Sequence, residues 1–297
     1  MRSLPAISVH IVTFNSAATL RACLEGLRAQ AFVDYEAHVF DNASTDDTRQ
    51  IIRDAGIHLV ESSDNLGYAQ AHNRLIDQTE STYVLTLNPD VYLLPEFLGA
   101  MARALDANPA LGAAAGRLLR VDQLGETPAV IDSAGLAMRR SRRQRLLGEN
   151  TPVEPYPTEP CPIFGPDGAA AFYRRAMLDD VRVLGEVFDS DFFMHKEDVD
   201  LCWRARLRGW ESVCVPDAVA HHVRAFRPGR RERVSPYMRF LGVRNRYLLM
   251  LKDEIPAYAW RDFPALLLTI WGFPATCCCA SANRSPRCVR RGRCASA

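Results

Sequence analysis

The sequence has almost no lysine: Lys196 and Lys252 are the only two among 297 residues, and arginine supplies nearly all of the basic charge. Its 36 basic and 35 acidic residues balance, so the chain lacks the basic excess that marks many nucleic-acid-binding proteins. The longest apolar run near the end, residues 263–273, is shorter than the ~20 residues that span a bilayer. The start of the chain lacks the apolar stretch and cleavage site of a signal peptide. These absences predict a soluble cytoplasmic protein.

Cysteine is present in an odd number, nine, and its distribution is uneven. Four cysteines are scattered through the body of the chain, as expected for reduced thiols buried as small hydrophobic side chains: Cys23, Cys161, Cys202 and Cys214. The other five fall in residues 277–297, together with five arginines and no acidic residue. That change of composition indicates either a tail foreign to the domain, such as the product of a shifted reading frame, or a disordered basic tail that contacts anionic lipid.

The first 115 residues alternate strand and helix patterns. Apolar or β-branched runs over residues 7–13, 37–40, 57–60 and 83–87 predict strands, and helical periodicity follows the first three of them. In the second helix, Ser44 and Asp47 resemble a capping box, and Gly56 is placed to end the helix. Strands that alternate with helices predict an α/β fold with a mostly parallel central sheet and helices on both faces.

Polar side chains follow these strands at the points where the strands end. Thr13 and Asn15 follow the first strand, Asp41 the second, and Asn88 and Asp90 the fourth. Ligands of parallel sheets bind outside the carboxyl ends of the strands. The pattern therefore predicts a binding site at this edge, although each residue taken alone is also typical of a turn or a helix cap.

The second half is less regular. Strands are predicted over residues 169–173 and 212–215, the latter ending before Pro216, and helices over 198–207 and 237–251. Residues 120–165 read as loops and short strands with a dense basic stretch, which contains Arg139, Arg140, Arg142, Arg143 and Arg145.

Several segments, in this order and spacing, resemble the inverting family-2 glycosyltransferases with the GT-A fold, in particular their rhamnosyltransferase-like branch. They are IVTFNSAATLRACLEGL with VFDNASTDDT, NLGYAQAHN, LNPDVYL, and FGPDGAAAFYRR with FDSDFFMHKEDVDLCWRARLRGW. The resemblance covers residues 5–250. It implies transfer of a sugar, L-rhamnose from dTDP-rhamnose as a first hypothesis, to a hydroxyl of a growing surface polysaccharide or lipid-linked acceptor of the cell envelope.

The resemblance also implies roles for residues that would hold the nucleotide-sugar donor. Asp41 corresponds to the family residue that hydrogen-bonds the base, with Thr13 and Asn15 lining the same pocket. Gly67 permits close approach of the backbone in the donor-binding turn. The whole expected donor set is Thr13, Asn15, Asp41, Asn65, Gly67, Asn73, Asn88 and Arg204, where Arg204 could also brace a carboxylate.

The segment Asn88-Pro89-Asp90 occupies the place of the family's Asp-any-Asp metal motif, with asparagine first. Asp90 is therefore the expected ligand of Mg²⁺ or Mn²⁺, which would bridge the oxygens of the diphosphate. By resemblance, His221 of the pair His221-His222 contacts the metal or the diphosphate, although such a pair is equally typical of a structural role. Four arginines further on would close over the diphosphate or form a solvated loop: Arg224, Arg227, Arg230 and Arg231.

Adjacent carboxylates at the start of a helix suit proton abstraction, because the helix terminus holds negative charge and partial burial raises one pKa. By resemblance, Asp198 is the general base that takes the proton of the acceptor hydroxyl. Glu197 would orient Asp198 or contact the acceptor. On spacing alone the pair could simply complement the helix dipole.

Three other functions are weighed. A sugar nucleotidyltransferase is disfavoured because the first strand is not followed by a glycine-rich, basic phosphate loop. Nucleic-acid binding through the arginine-rich stretches is disfavoured because aromatic residues are not interleaved there. A catalytically inactive scaffold of the same fold, binding carbohydrate or the membrane, is the main alternative.

The expected organisation is one glycosyltransferase domain over residues 1–250. Residues 1–115 form its nucleotide-binding half and 116–250 its acceptor and catalytic half. An amphipathic segment, 251–276, and the atypical tail, 277–297, follow. The basic stretches would allow peripheral contact with anionic lipid at the inner face of the plasma membrane.

Overall fold

The computed structural model describes residues 4–123, 126–154, 159–223 and 235–270. Its strands are β1 (Ile7–Thr13), β2 (Tyr35–Asn42), β3 (His58–Ser62), β4 (Tyr83–Leu87), β5 (Val91–Leu93), β6 (Leu111–Arg120), β7 (Val130–Ser133), β8 (Leu136–Met138), β9 (Gln144–Leu146), β10 (Cys161–Pro162), β11 (Ala170–Arg174) and β12 (Glu211–His222). Its helices are α1 (Ala17–Arg28), α2 (Thr48–Asp54), α3 (Gly67–Gln78), α4 (Phe97–Ala107), α5 (Arg175–Asp180), α6 (Glu197–Leu207), α7 (Pro236–Asp253), α8 (Pro256–Arg261) and α9 (Phe263–Ile270).

One large mixed sheet organises the fold, in the order β10-β12-β6-β11-β4-β1-β2-β3, with β5 against β12 and β7 against β6. The strands β3, β2, β1 and β4 are parallel, as predicted. Strand β11 is antiparallel to both β4 and β6, so it joins this parallel half to the second half. The carboxyl end of β4 and the amino end of β11 therefore meet at one edge of the sheet.

Helices cover both faces because the strands are apolar on both. Strand β1 buries Ile7, Val9 and Ile11 against the apolar stripe of α1, while helices α3 and α6 pack with Tyr173 and Phe188 on the other side. Burial of this kind on two faces is what the near-continuous apolar strands predict.

Two local predictions are wrong. Strand β12 does not end before Pro216 but continues to His222, because an irregular register between Cys214 and Val219 accommodates the proline. Ser44 does not cap the second helix: the cap position is Asp47, without a side-chain bond, and the Ser44 hydroxyl instead donates to Asp41.

The residues after 250 pack onto the domain. Helix α7 continues past residue 250, the expected domain boundary, to Asp253. Arg142, in the turn between β8 and β9, is buried and donates to Glu254 at 2.5 and 2.7 Å and to Asp262 at 2.8 Å. Within the described ranges, none of the helices is long and apolar enough to cross a membrane. The expected tail, 277–297, lies outside the described residues.

Candidate active site

Asp41 lies at the end of β2, fully buried, and its carboxylate is surrounded by donors. Thr13, its register partner on β1, donates at 3.0 Å, and the backbone N–H of Ser44 donates at 3.0 Å. The Ser44 hydroxyl and Arg49 Nε each donate at 2.5 Å. Each carboxylate oxygen thus accepts two hydrogen bonds from the protein, so Thr13 and Asp41 fasten the ends of β1 and β2 to the start of α2.

Asn15 is exposed and adopts a left-handed backbone with φ 49°. Its side-chain oxygen accepts from the backbone N–H of Thr45 at 2.8 Å, and its own N–H donates to Ser44 Oγ at 2.9 Å. Asn15 therefore joins the loop after β1 to the loop after β2. Phe14 beside it is 51% exposed, so this loop presents an aromatic face to solvent.

The turn before α3 contains Asn65 and Gly67. Asn65 accepts from the Gly67 N–H at 2.9 Å, and Gly67 has φ +80°. A Cβ at Gly67 would lie 2.6 Å from a ring carbon of Phe193 and closer still to the Phe193 carbonyl oxygen. The close approach predicted at Gly67 is thus an approach by Phe193, whose carbonyl also accepts from Tyr68 N–H at 2.7 Å.

Two residues expected to bind the donor have structural contacts instead. Asn73 is buried, donates to the Phe188 carbonyl at 2.6 Å and accepts from the Phe188 N–H at 2.9 Å. Arg204 donates to Asp200 at 2.6 Å and to the carbonyls of Val181 and Val187 at 2.5 and 2.7 Å. Their polar atoms are engaged within the protein, so we withdraw both from the donor set. Arg204 braces a carboxylate, as its alternative role predicted.

The Asn88-Pro89-Asp90 turn lies at the edge where β4 meets β11. The Asn88 N–H donates to the Ala169 carbonyl at 2.8 Å, and all three residues of the turn are half-buried. The Oδ1 atom of Asp90 is inaccessible to solvent and has no hydrogen-bond partner. A buried carboxylate oxygen without a donor is a suitable ligand for a hard cation.

The histidine beside Asp90 is His222 and not His221, the residue expected from the sequence. His222 Nε2 lies 3.5 Å from Asp90 Oδ1, and its Nδ1 lies 2.9 Å from Asp132 Oδ2. His221 points to the other face of β12, where its ring lies 6.4 Å from that of Tyr92. Burial opposes protonation of His222, but the hydrogen bond to Asp132 and the nearby carboxylate of Asp90 outweigh it and raise its pKa to about 9. Strand alternation could have indicated that His222 points inward, since residues 218, 220 and 222 lie on the same face of β12 and Ala218 and Ala220 are buried.

The acidic pair opens helix α6. Asp198 is half-buried, and its oxygens accept from the N–H groups of Gly168 at 3.0 Å and Val199 at 2.8 Å. Burial, and next the charge of Asp167, raise the pKa of Asp198 to about 6. Glu197 is 5% exposed, and one of its oxygens is buried without a partner. Burial, and next the charge of Asp198, raise the pKa of Glu197 well above its ordinary value.

Asp167 belongs to this site, although it was not singled out from the sequence. One of its oxygens accepts from Ala169 N–H at 3.0 Å, and the other is buried without a hydrogen bond. The signal was available in the segment FGPDGAAAFYRR, where a carboxylate stands between proline and glycine just before a buried strand.

The loop that leads into α6 is strained, with left-handed backbones at Phe193 (φ 62°), His195 (φ 69°) and Lys196 (φ 77°). Asn245 of α7 is fully buried and donates to the carbonyls of Phe192, Met194 and His195 at 2.9, 2.9 and 2.7 Å. Strain of this kind persists only where the surroundings enforce it, and it is concentrated at functional sites. The signal for Asn245 was an amide on the helix face that carries Leu241 and Leu249.

Two groups of predicted residues, the Asn88–Asp90 turn and the acidic pair of α6, are connected by Gly168 and Ala169, just before β11. The Asn88 N–H donates to the Ala169 carbonyl, and the Gly168 N–H donates to Asp198. Among the described residues, no group of three or more His, Cys, Asp or Glu side chains is placed to hold a metal ion. The expected arginine lid, within residues 224–234, lies outside the described residues.

A mostly parallel α/β half, joined at its strand ends to an acidic pair at the start of a helix, is consistent with a glycosyltransferase of the GT-A fold. The profile described as Glycosyl transferase family 2 matches residues 8–182, and the chain belongs to that family.

A relative by sequence and two solved structures of similar fold are consistent with this family assignment. The chain is 30% identical over 246 residues to N-acetylglucosaminyl-diphospho-decaprenol L-rhamnosyltransferase of Mycobacterium tuberculosis, covering 75% of this chain and 78% of that protein. The fold is similar to that of the mannosyltransferase from Pyrobaculum calidifontis in complex with GDP-Man and Mn²⁺ (TM-score 0.59, 19% identity, 90% of this chain and 70% of that chain). It is also similar to that of S. aureus TarS 1-349 in complex with UDP-GlcNAc (TM-score 0.55, 18% identity, 89% of this chain and 71% of that chain).

Proposed function

We propose that this glycosyltransferase inverts the anomeric carbon of a nucleotide-diphosphate sugar as it transfers the sugar to a hydroxyl of a saccharide or lipid-linked acceptor. The observation that carries the proposal is the connection through Gly168 and Ala169 between the Asn88–Asp90 turn and Asp198. It holds a diphosphate-binding turn and a base at a fixed spacing, as in-line displacement requires.

Asp198 acts as the general base. Two backbone N–H groups orient its carboxylate, and its raised pKa of about 6 leaves it ionised at neutral pH yet more basic than an ordinary aspartate. The attacking acceptor oxygen gives its proton to Asp198 while the bond from the anomeric carbon to the diphosphate breaks. Burial raises the pKa of Glu197 well above its ordinary value, and in its protonated form Glu197 can donate a hydrogen bond to the acceptor or to Asp198.

Asp90 and His222 are the residues that would hold Mg²⁺ or Mn²⁺. The buried Asp90 oxygen is chemically suited to such an ion, and His222, 3.5 Å from it, would become a ligand once the ion displaced its proton. The structure of the P. calidifontis mannosyltransferase contains Mn²⁺. A bound divalent ion would neutralise charge on the departing diphosphate. Asp132 is hydrogen-bonded to the other ring nitrogen of His222, Nδ1, and is itself held by Arg120, which donates to Asp132 at 2.8 Å.

The donor extends from this turn toward the ends of β1 and β2. Asn15, Asn65, Gly67 and Asn88 remain the proposed donor-side residues. Thr13 and Asp41 would act on the base mainly by holding the loops that contact it, because their polar atoms are already engaged. L-Rhamnose from dTDP-rhamnose is the proposed sugar, supported by the similarity to the mycobacterial rhamnosyltransferase.

We place the enzyme at the inner face of the plasma membrane, in peripheral contact with anionic lipid. The support is the apolar surface of the C-terminal helices, where Phe240, Leu251 and Trp260 are 57%, 82% and 76% exposed. Vesicles of phosphatidylglycerol should carry the protein on flotation, and replacing Phe240 and Leu251 by serine should reduce the bound fraction. Equal binding by the variant would contradict this location.

The test of the function is calorimetric titration with a panel of sugar nucleotides, with and without Mg²⁺ or Mn²⁺. We expect one nucleotide sugar to bind in a metal-dependent manner, and Asp90→Ala to abolish the dependence.

Transfer to a sugar acceptor should fall by about 10²–10⁴-fold in Asp198→Asn while donor binding is retained. A folded protein that binds no sugar nucleotide at millimolar concentration would instead be the inactive scaffold.

A further inference from the structure

Among the residues that the structure describes, none forms an ion pair with Arg246 on helix α7. Its Nε and Nη2 atoms are inaccessible to solvent and have no hydrogen-bond partner. Burial of an unpaired guanidinium costs free energy unless an anion compensates it. Arg142 shows the contrast, because its guanidinium is completely engaged by Glu254 and Asp262. The Arg246 side chain is half-buried, so an anion that reached it would satisfy donors that no described residue satisfies.

Two further cations, Lys196 and Arg143, are close enough to Arg246 for their charges to interact with it. Lys196 is half-buried at the cap of α6, where burial is the main cause of its lowered pKa and the Arg246 charge contributes. Arg143, exposed in the turn between β8 and β9, is the charged group whose repulsion adds to burial in lowering the pKa of Arg246. The backbone connects them closely, since Asn245, the neighbour of Arg246, donates to the carbonyl of His195, the neighbour of Lys196.

This basic cluster, Lys196, Arg143 and Arg246, lies beside the start of helix α6, which carries Asp198. Helix α7 and the β8–β9 hairpin pack together through Leu136, Met138, Leu146, Leu248 and Leu249. Lys196 precedes Asp198 by two residues. An anion at Lys196 and a hydroxyl at Asp198 can therefore belong to one acceptor sugar.

We propose that the basic cluster binds the phosphate groups of the acceptor, so that Asp198 deprotonates a hydroxyl of a sugar phosphate or diphosphate. This deepens the proposed function and rests on it. Arg246 and Arg143 form no ion pair with a described carboxylate, and with Lys196 they match a diphosphate in charge although Asp198 and Glu197 also act on Lys196. A planar guanidinium can form two parallel hydrogen bonds to phosphate oxygens.

The test compares two acceptors that share one sugar and one short lipid chain, joined either through a diphosphate or directly through a glycosidic oxygen. In Arg246→Gln we expect KM for the diphosphate acceptor to rise about 10-fold or more, since charge-assisted hydrogen bonds are lost. KM for the uncharged acceptor and for the donor should not change. Arg246→Lys should recover part of the loss, and Arg21→Gln, the same substitution on exposed α1, should have no effect.

A direct titration makes the result independent of turnover. Inorganic pyrophosphate in EDTA should bind the wild type and bind Arg246→Gln about 10-fold more weakly. Because the removed charge is unpaired, Arg246→Gln should melt no lower than the wild type, which separates loss of binding from loss of folding.

Each other result overturns the inference. A raised donor KM in Arg246→Gln would assign the cluster to the donor diphosphate. Equal loss with both acceptors would assign it to the sugar, and loss of binding to phosphatidylglycerol vesicles without discrimination between acceptors would assign it to lipid headgroups. Donor hydrolysis in the absence of acceptor tests the proposed function separately. If the wild type hydrolyses no donor, the proposed function is contradicted, whether or not the protein binds pyrophosphate.

Discussion

Asp198 differs from an ordinary surface aspartate through its immediate surroundings. Burial and the neighbouring Asp167 disfavour its charge, while two N–H groups favour it, and the balance raises its pKa to about 6. A base with that pKa is ionised at neutral pH and is lost in mild acid. The same carboxylate on an exposed helix start would be a weaker base.

The pH dependence of catalysis follows from this. We expect kcat/KM to fall as the pH drops through about 6, because Asp198 must be deprotonated in the free enzyme. Asp167→Asn removes the repelling charge, lowers the pKa of Asp198 and should move the acid limb to lower pH. Exposed Asp34→Asn is the matched control. An acid limb at the same pH in Asp167→Asn and Asp34→Asn would contradict this account.

At the scale of elements, the decisive contact joins the turn before α3 to the loop before α6. Phe193 presents its carbonyl to the N–H groups of Tyr68 and Ala69 at 2.7 and 3.2 Å, directly over Gly67. The donor-side helix and the strained loop that leads to Asp198 are therefore positioned by one another. A disturbance of either should reach the base.

Gly67→Ala tests this coupling. The added Cβ would overlap Phe193 and would strain a backbone with φ +80°, so we expect a loss of about 2–4 kcal/mol in the free energy of unfolding and a fall in kcat. Gly56→Ala is the matched control, because Gly56 has φ +67° but nothing within 4 Å of its Cβ. That variant should lose only about 1–2 kcal/mol and keep its kcat. Similar urea midpoints and kcat values for the two variants would refute the contact.

Asn245 should matter for catalysis because it holds the loop at residues 192–195. Asn245→Ala removes a hydrogen-bond donor from three loop carbonyls, at a cost of about 1–3 kcal/mol, and should lower kcat while binding of the donor sugar is retained. Asn73→Ala, which removes a comparable buried amide bonded to Phe188, should lower stability without lowering kcat of the folded protein. A raised donor Kd in Asn73→Ala would restore the original prediction that Asn73 binds the donor.

At the scale of the whole molecule, the interior holds several acids whose pKa values are raised in the folded protein. Burial, and next the charge of Asp200, raise the pKa of Asp253 to about 8, and Glu197 and Asp198 are shifted in the same direction. Asp253 and Asp200 join helices α7 and α6, so the docking of α7 depends on this proton. The C-terminal helices are therefore sensitive to alkaline pH.

Stability should consequently fall as the pH rises. The folded protein keeps the Asp253 proton up to about pH 8, while the unfolded chain releases it near pH 4, so the free energy of unfolding decreases across that window. Asp253→Asn should exceed the wild type by about 2 kcal/mol at pH 9, and the difference should vanish near pH 4. Urea denaturation across this pH range measures it, with Asp34→Asn as control. A difference that is constant with pH would show that Asp253 does not titrate in this way.

The sequence by itself determined the parallel half of the sheet and the polar side chains at its carboxyl edge, and it predicted the acidic pair at the start of a helix. Strand and helix periodicity and the polar residues at strand ends are local properties, so each can be read within about ten neighbouring residues. The tertiary structure alone decided which side chains meet at that edge. His222 rather than His221 faces Asp90, Asn73 and Arg204 are engaged by backbone carbonyls, and Asp167 and Asn245 enter the site. These outcomes depend on contacts between residues far apart in sequence, such as His222 and Asp132, whose pairing follows from the register of strands and the packing of helices and not from local pattern.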